Sequence, residues 1–308
     1  MSLLRQRAED YLDIRRALGY KLTSQARVLF GFVSYLEVAG ASRVTIELAL
    51  AWATEPADAD PIWWSRRLSV ARCFARHLQA IDPDTEVPPA HLLPRGARRA
   101  VPYIYSEADI AALMAAARTL RSALQAATYE TLIGLLSVTG MRVGEAIGLD
   151  RDNIDFDQGA LRIRLGKFGK SRVVPLHPST RAALRAYLGR RDQLCRSPNT
   201  TSFFVSTTGT RLTYNTVRSI FARLAQQAGL QARSASCRPR IHDLRHRFAV
   251  QTLLDWYRSG VDVATRLPLL STYLGHVKPS STYWYLDAAP ELLTLATRRL
   301  ERRNGATP

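Results

Sequence analysis

Thr139-Gly140-Met141-Arg142-Val143-Gly144-Glu145-Ala146-Ile147-Gly148-Leu149 is the stretch on which the reading of this chain turns. Thr-Gly after an apolar run is a helix end, because glycine reaches the left-handed conformation that closes a helix. A second helix begins almost at once, and it begins on Arg142. Backbone N–H groups and the helix dipole already favour an anion at such a place, and a guanidinium there is suited to fork a phosphate. Glu145, three residues on, shares that face and is expected to buttress Arg142. Taken alone, the segment is equally readable as a surface ion pair at a helix start.

Working outward, Ser106-Glu107-Ala108-Asp109 reads as a helix start with Ser106 as N-cap, followed by helices over about 107–119 and 121–137. Downstream, residues 154–159 form a hairpin-like turn into the alternating segment 160–165. Gly166-Lys167-Phe168-Gly169-Lys170 then turns into the strand Arg172-Val173-Val174-Pro175-Leu176. The remainder is mostly helical, with residues 202–207 a short strand or loop. Residues 103–308 are therefore predicted to be a mixed α/β unit of helices with one small antiparallel sheet.

Residues 1–81 predict a separate four-helix bundle. Leu4, Ala8, Tyr11, Leu12, Arg15 and Leu18 make one stripe at helical spacing, ended by Gly19. Further helices are expected from Thr23 to Val38, Thr45 to Ala53 and Pro61 to Ile81. The last carries Arg66, Arg67, Arg72 and Arg76 near Trp63 and Trp64, which is either a DNA-facing surface or a solvated face beside core aromatics. Residues 82–102, rich in proline and ending in Arg95, Arg98 and Arg99, are the linker candidate. Those arginines either follow a DNA backbone or simply keep a tether soluble.

Two further constellations carry chemistry. In Ile241-His242-Asp243-Leu244-Arg245-His246-Arg247, His242 and Arg245 are three apart on a helix and share a face. A donor imidazole beside a guanidinium is what a pentavalent phosphorus intermediate needs. His246 stands one turn from His242, but a His-x₃-His metal pair is disfavoured by the adjacent Arg245 and by the lack of a further ligand. Leu274-Gly275-His276 is followed by Tyr283 and Tyr285, the latter nine residues after His276. A lone His or Tyr is usually a packing residue, and these gain weight only from the two constellations upstream.

Charge agrees with a polyanionic partner. The chain of 308 residues carries 43 Lys plus Arg against 26 Asp plus Glu, a net of +17, as phosphate binding requires. Residues 1–100 hold 14 basic and 11 acidic side chains, so the electrostatic grip is expected mainly from residues 101–308. No apolar run is long enough for a transmembrane helix, and the charged N-terminus lacks the pattern of a signal peptide. Three scattered cysteines fit a reducing compartment, with neither a disulfide framework nor metal spacing. The expectation is a cytoplasmic, bacterial, nucleoid-associated protein with no metal, no other cofactor and no membrane partner.

In order, TGMRVGEAIGL, GKFGKSRVVPL, HDLRHRFA and LGH-x₈-Y resemble the tyrosine recombinase (phage integrase) family over about residues 103–300. Residues 1–81 match its helical core-binding domain more weakly. The resemblance implies a mainly α protein: a four-helix SAM-like core-binding domain (1–81), a linker (82–102) and a mixed α/β catalytic domain of the DNA breaking-rejoining type (103–308) with a tail helix. It implies that Arg142, Lys167, His242, Arg245 and His276 serve Tyr285, the nucleophile, with Lys170 an alternative to Lys167. DNA contacts are expected from Arg66, Arg67, Arg72, Arg76, Arg98, Arg99, Lys170 and Arg172. Tyr285 would form a 3′-phosphotyrosyl link without metal or ATP, on double-stranded recombination sites clamped between the two domains. The tail, residues 287–308, would join subunits into a homotetramer or a heterotetramer with related recombinases; the plainer alternative is a helix folded on its own domain. A type IB topoisomerase, a catalytically silent DNA-binding accessory factor and a metal-dependent nuclease are the competing readings. The last would need an acidic cluster, and Asp150, Asp152, Asp155 and Asp157 look like solvated loop charges.

Overall fold

A computed structural model describes residues 2–93, 100–164, 171–196, 198–276, 282–283, 285, 291–292, 294 and 297. The chain divides into two compact units, Met1–Arg99 and Ala100–Pro308.

The first unit contains four helices: α1 Leu3–Ala17, α2 Thr23–Val38, α3 Ile46–Thr54 and α4 Pro61–Gln79. Their starts are legible in chemistry. Ser2, Thr45 and Asp60 each accept a backbone N–H in the first turn of α1, α3 and α4, and Pro61 opens α4 where its missing donor costs nothing. The apolar stripes meet in a core of Leu12, Leu29, Phe32, Leu36, Trp52, Phe74 and Leu78. Residues 82–93, the first part of the expected linker, fold onto this bundle. The Glu86 amide donates to the Val44 carbonyl, the Glu86 carboxylate accepts the Ile46 N–H at 2.7 Å, and Thr85 is buried. Arg72 donates to the carbonyls of Pro88 and Pro89, both at 2.8 Å. Proline loses its N–H but keeps this acceptor, so a proline pair still anchors to a helix.

The second unit is organised around α6 Ala123–Thr139, buried on nearly every side between α5 Glu107–Arg118, α8 Pro178–Leu194 and α10 Asp243–Arg258. Ser106 and Asp109 form the capping box that starts α5. The short helix α7 Val143–Ile147 leads into three strands, β1 Ile154–Asp155, β2 Ala160–Ile163 and β3 Arg172–Pro175, paired antiparallel in that order. Leu161 faces Val174 across β2–β3, and both side chains are buried. α9 Tyr214–Gln227 and α11 Val263–Leu274 complete the described helices. Residues 202–207 make only isolated bridges, Asp150 with Ser202 and Val205 with Arg211, while Phe203 and Phe204 plug the core. Among its described residues the unit has two apolar clusters, one around α6 and one formed by α10, α11, Tyr285 and Leu292.

Candidate active site

The corner after α6 sets the first arginine. Gly140 closes the helix at φ 58°, and a Cβ there would lie 2.3 Å from a Phe248 ring carbon, so both conformation and space demand glycine. Arg142 follows as the N-cap of α7. Its backbone N–H and its Nη1 each reach the Glu145 carboxylate at 2.8 Å, and its Nη2 donates to the Gly275 carbonyl at 2.8 Å. Glu145 thus buttresses Arg142 as the three-residue spacing predicts, and it does more. Arg172, the first residue of β3, forks the same carboxylate at 2.9 and 2.8 Å. Burial alone would push the Glu145 carboxyl up; the hydrogen bonds from Arg172 and Arg142 outweigh it and hold the group at about 2.

Arg172, expected as a DNA contact, has a side chain only 14% exposed and paired with Glu145. Strand alternation carried the signal, since Arg172 and the buried Val174 are two apart and share the inner face. Gly275, the C-cap of α11 at φ 66°, lies against both arginines. A Cβ on it would stand 3.0 Å from Arg172 Nη1 and 3.4 Å from Arg142 Nη1.

Arg245 projects from the first turn of α10 and is 2% exposed. Its Nη1 donates to the Gly140 carbonyl at 2.8 Å and its Nη2 to the Leu274 carbonyl at 2.5 Å. These carbonyls sit at the C-terminal ends of α6 and α11, where the helix dipole favours a cation. Burial, helped by the repulsion of Arg142, lowers the Arg245 guanidinium to about 10, and it is still a cation at neutral pH. Tyr285 is near enough to that guanidinium to favour its charged form against the effect of burial.

Tyr285 is 2% exposed, whereas Tyr283 is 56% exposed. The Tyr285 ring stacks on His276 (centroids 5.9 Å, planes 22° apart) and leans on His246 (5.3 Å, 60°). His276 Nδ1 is 2.7 Å from the Thr282 hydroxyl, a contact that fixes the ring plane. His242 occupies the N-cap position of α10, exposed, with its ring edge-on to His246 at 5.0 Å. Arg245 and Arg142 are thus tied to the consecutive carbonyls of Leu274 and Gly275, next to His276, whose ring stacks on Tyr285, and His242 adjoins His246. Lys167 and Lys170 lie outside the described residues, as do Arg95, Arg98 and Arg99.

The four arginines of α4 divide into two kinds. Arg67 donates to the Trp52 carbonyl at 2.6 Å and covers its ring, while Arg72 holds Pro88 and Pro89; Arg66 and Arg76 are exposed. The acidic residues near the sheet serve local structure: Asp150 pairs with Arg211, and Asp155 accepts two turn amides and Arg162. Among the described residues no three His, Cys, Asp or Glu side chains gather as metal ligands, and no helix is long and apolar enough to cross a membrane. Sequence reasoning missed the carbonyl anchors of both arginines, the Thr282 contact and the contact of His246 with Tyr285. Backbone acceptors leave no residue signature, and the contacts of His246 depend on how α10 docks.

The model of the phage integrase family matches residues 104–291. The chain belongs to that family. This phage integrase family member is a site-specific recombinase. It is 47% identical to the integrase/recombinase y4rB of Sinorhizobium fredii (strain NBRC 101917 / NGR234), over 98% of each chain. In fold it resembles the Tn1549 transposon integrase in complex with transposon right end DNA (TM-score 0.67, 16% identity, 98% of this chain and 99% of that one). It also resembles a lambda integrase tetramer bound to a Holliday junction (TM-score 0.60, 19% identity, 92% of this chain and 76% of that one).

Proposed function

We propose that this recombinase cleaves and rejoins DNA through a 3′-phosphotyrosyl intermediate formed on Tyr285, with arginines in the place of metal ions. The observation that carries the proposal is a buried tyrosine beside a buried guanidinium that two helix-end carbonyls hold in place. Tyr285 Oη attacks the scissile phosphorus, the bond from phosphorus to the 5′-oxygen breaks, and the phosphodiester energy is kept in the covalent link. His242 takes the phenolic proton, and Lys167, or Lys170, protonates the departing 5′-oxygen. Arg142 and Arg245 neutralise the nonbridging oxygens, and His276 donates to one of them. Loss of either arginine is expected to cost at least about 2.7–4 kcal/mol of transition-state stabilisation. A second attack, by a 5′-hydroxyl on the phosphotyrosine, reseals the strand without ATP.

Residues 1–81 act as the core-binding domain, with Arg66 and Arg76 as its phosphate contacts on α4, and Arg98 and Arg99 follow the DNA backbone from the linker. The tetrameric lambda integrase supports assembly as a tetramer on paired recombination sites, with the tail after Tyr285 as the link between subunits. The protein therefore works where the cell's DNA lies. Tyr285→Phe tests the nucleophile: on nicked suicide duplexes tiling the DNA that flanks the gene, the variant is expected to bind and to form no covalent adduct. Adduct formation by Tyr285→Phe would move the role to Tyr283.

A further inference from the structure

His246 belongs to the same helical turn as His242 and Arg245, yet the mechanism above gives it no task. It is 5% exposed, and its ring lies between two groups that the mechanism does use. On one side His242 meets it edge-on at 5.0 Å and 89°; on the other the Tyr285 ring leans on it at 5.3 Å and 60°. Its Nε2 is 3.8 Å from Asp243 Oδ1, longer than a hydrogen bond. Asp243 is fully buried and held by the Arg240 fork at 2.8 and 2.9 Å, so it is a fixed point for the imidazole edge.

We propose that His246 is a positioning residue for the nucleophile: a ring, oriented by Asp243, that holds the Tyr285 phenol at the angle from which it attacks. The proposal rests on the reading of Tyr285 as the nucleophile. The phenol rotates about its side-chain bonds and is touched by His276 on one face, so a second ring leaves it one orientation. Near-attack geometry is a steep function of position: a misplacement of about 1 Å costs on the order of 10²-fold in rate. His246 touches neither the phosphate nor the 5′-oxygen in this scheme, and its removal leaves Arg142 and Arg245 on their carbonyl anchors.

The test compares His246→Ala and His246→Phe with wild type, as full-length protein, on the nicked suicide duplexes. Alanine removes the ring; phenylalanine restores one of similar span. Single-turnover adduct formation is expected to fall at least about tenfold in His246→Ala, with DNA affinity and thermal melting close to wild type. His246→Phe is expected to recover most of that loss. A third arm replaces the 5′-bridging oxygen with sulfur, a leaving group that needs no proton; His246→Ala is expected to stay slow on it. Wild-type adduct rates in His246→Ala, no recovery in His246→Phe, or rescue by the sulfur substrate would each overturn the proposal. If His246→Ala does not fold, His246→Phe and its response to the sulfur substrate decide alone: near wild-type rates uphold the ring, while a loss that sulfur repairs removes it. Tyr285→Phe run alongside separates the two readings, because an adduct in that variant sinks the nucleophile assignment itself.

Discussion

Replacing Glu145 with glutamine removes one negative charge from between two arginines. The carboxylate accepts four N–H bonds, from the Arg142 amide and Nη1 and from both Arg172 Nη groups, all between 2.8 and 2.9 Å. Its side chain is 5% exposed, so solvent screens little of this. Lowering its carboxyl from 4.5 to about 2 corresponds to about 3 kcal/mol in favour of the charged form. Breaking a buried ion pair from one side costs about 3–5 kcal/mol, a figure that agrees. Because the folded state lowers this group, its contribution is complete above the ordinary value and disappears as pH falls toward 2. Urea unfolding at pH 7 should therefore show Glu145→Gln less stable by about 3 kcal/mol, with the gap to wild type closing between pH 4.5 and 2. Suicide-substrate cleavage should fall on the order of 10²-fold as Arg142 loses its orientation. A difference at pH 7 below about 0.5 kcal/mol, the scatter typical of surface substitutions, would refute the reasoning.

Gly140→Ala should destabilise by about 2–4 kcal/mol, from a left-handed alanine and a clash with a ring that Tyr273 stacks against; thermal unfolding measures it. Under the proposed mechanism, in which arginines neutralise the phosphate, strand cleavage should persist in EDTA, and strict dependence on a divalent ion would contradict it. DNA binding, followed by titration across ionic strength, should weaken on the order of 10³-fold or more between about 50 and 200 mM salt if six or more phosphates are contacted. A flat response would place the affinity elsewhere.

Much of this was legible because the signals were local. Helical stripes, the Ser106 capping box and the glycines that end α1, α2 and α6 all act within a few residues, and α1 to α4 stand where those signals put them. The candidate site could be named as residue types in sequence order, but its scaffolding could not. Arg245 is held by two carbonyls, and a carbonyl is common to every residue. Arg172 was read by its charge, as a DNA contact, and its pairing with Glu145 went unread although its place in the strand period sets it on the inner face. Residues 82–93 were read by their prolines as part of a linker, and no residue pattern signalled that Val87 and Leu93 pack on the bundle core or that Arg72 bonds the carbonyls of Pro88 and Pro89.

The carbonyl anchors have a consequence for the whole second unit. Gly140 closes a helix of one apolar cluster and Leu274 closes a helix of the other, and a single guanidinium is riveted to both. Under the proposed mechanism, a phosphate that draws on Arg245 also loads that rivet. Occupancy by DNA and cohesion of the two clusters are then thermodynamically linked, so cognate duplex should raise the melting temperature of the second unit by an amount that grows with the logarithm of its affinity. Substitutions that loosen the ends of α6 or α11, away from any contact with DNA, should weaken both together.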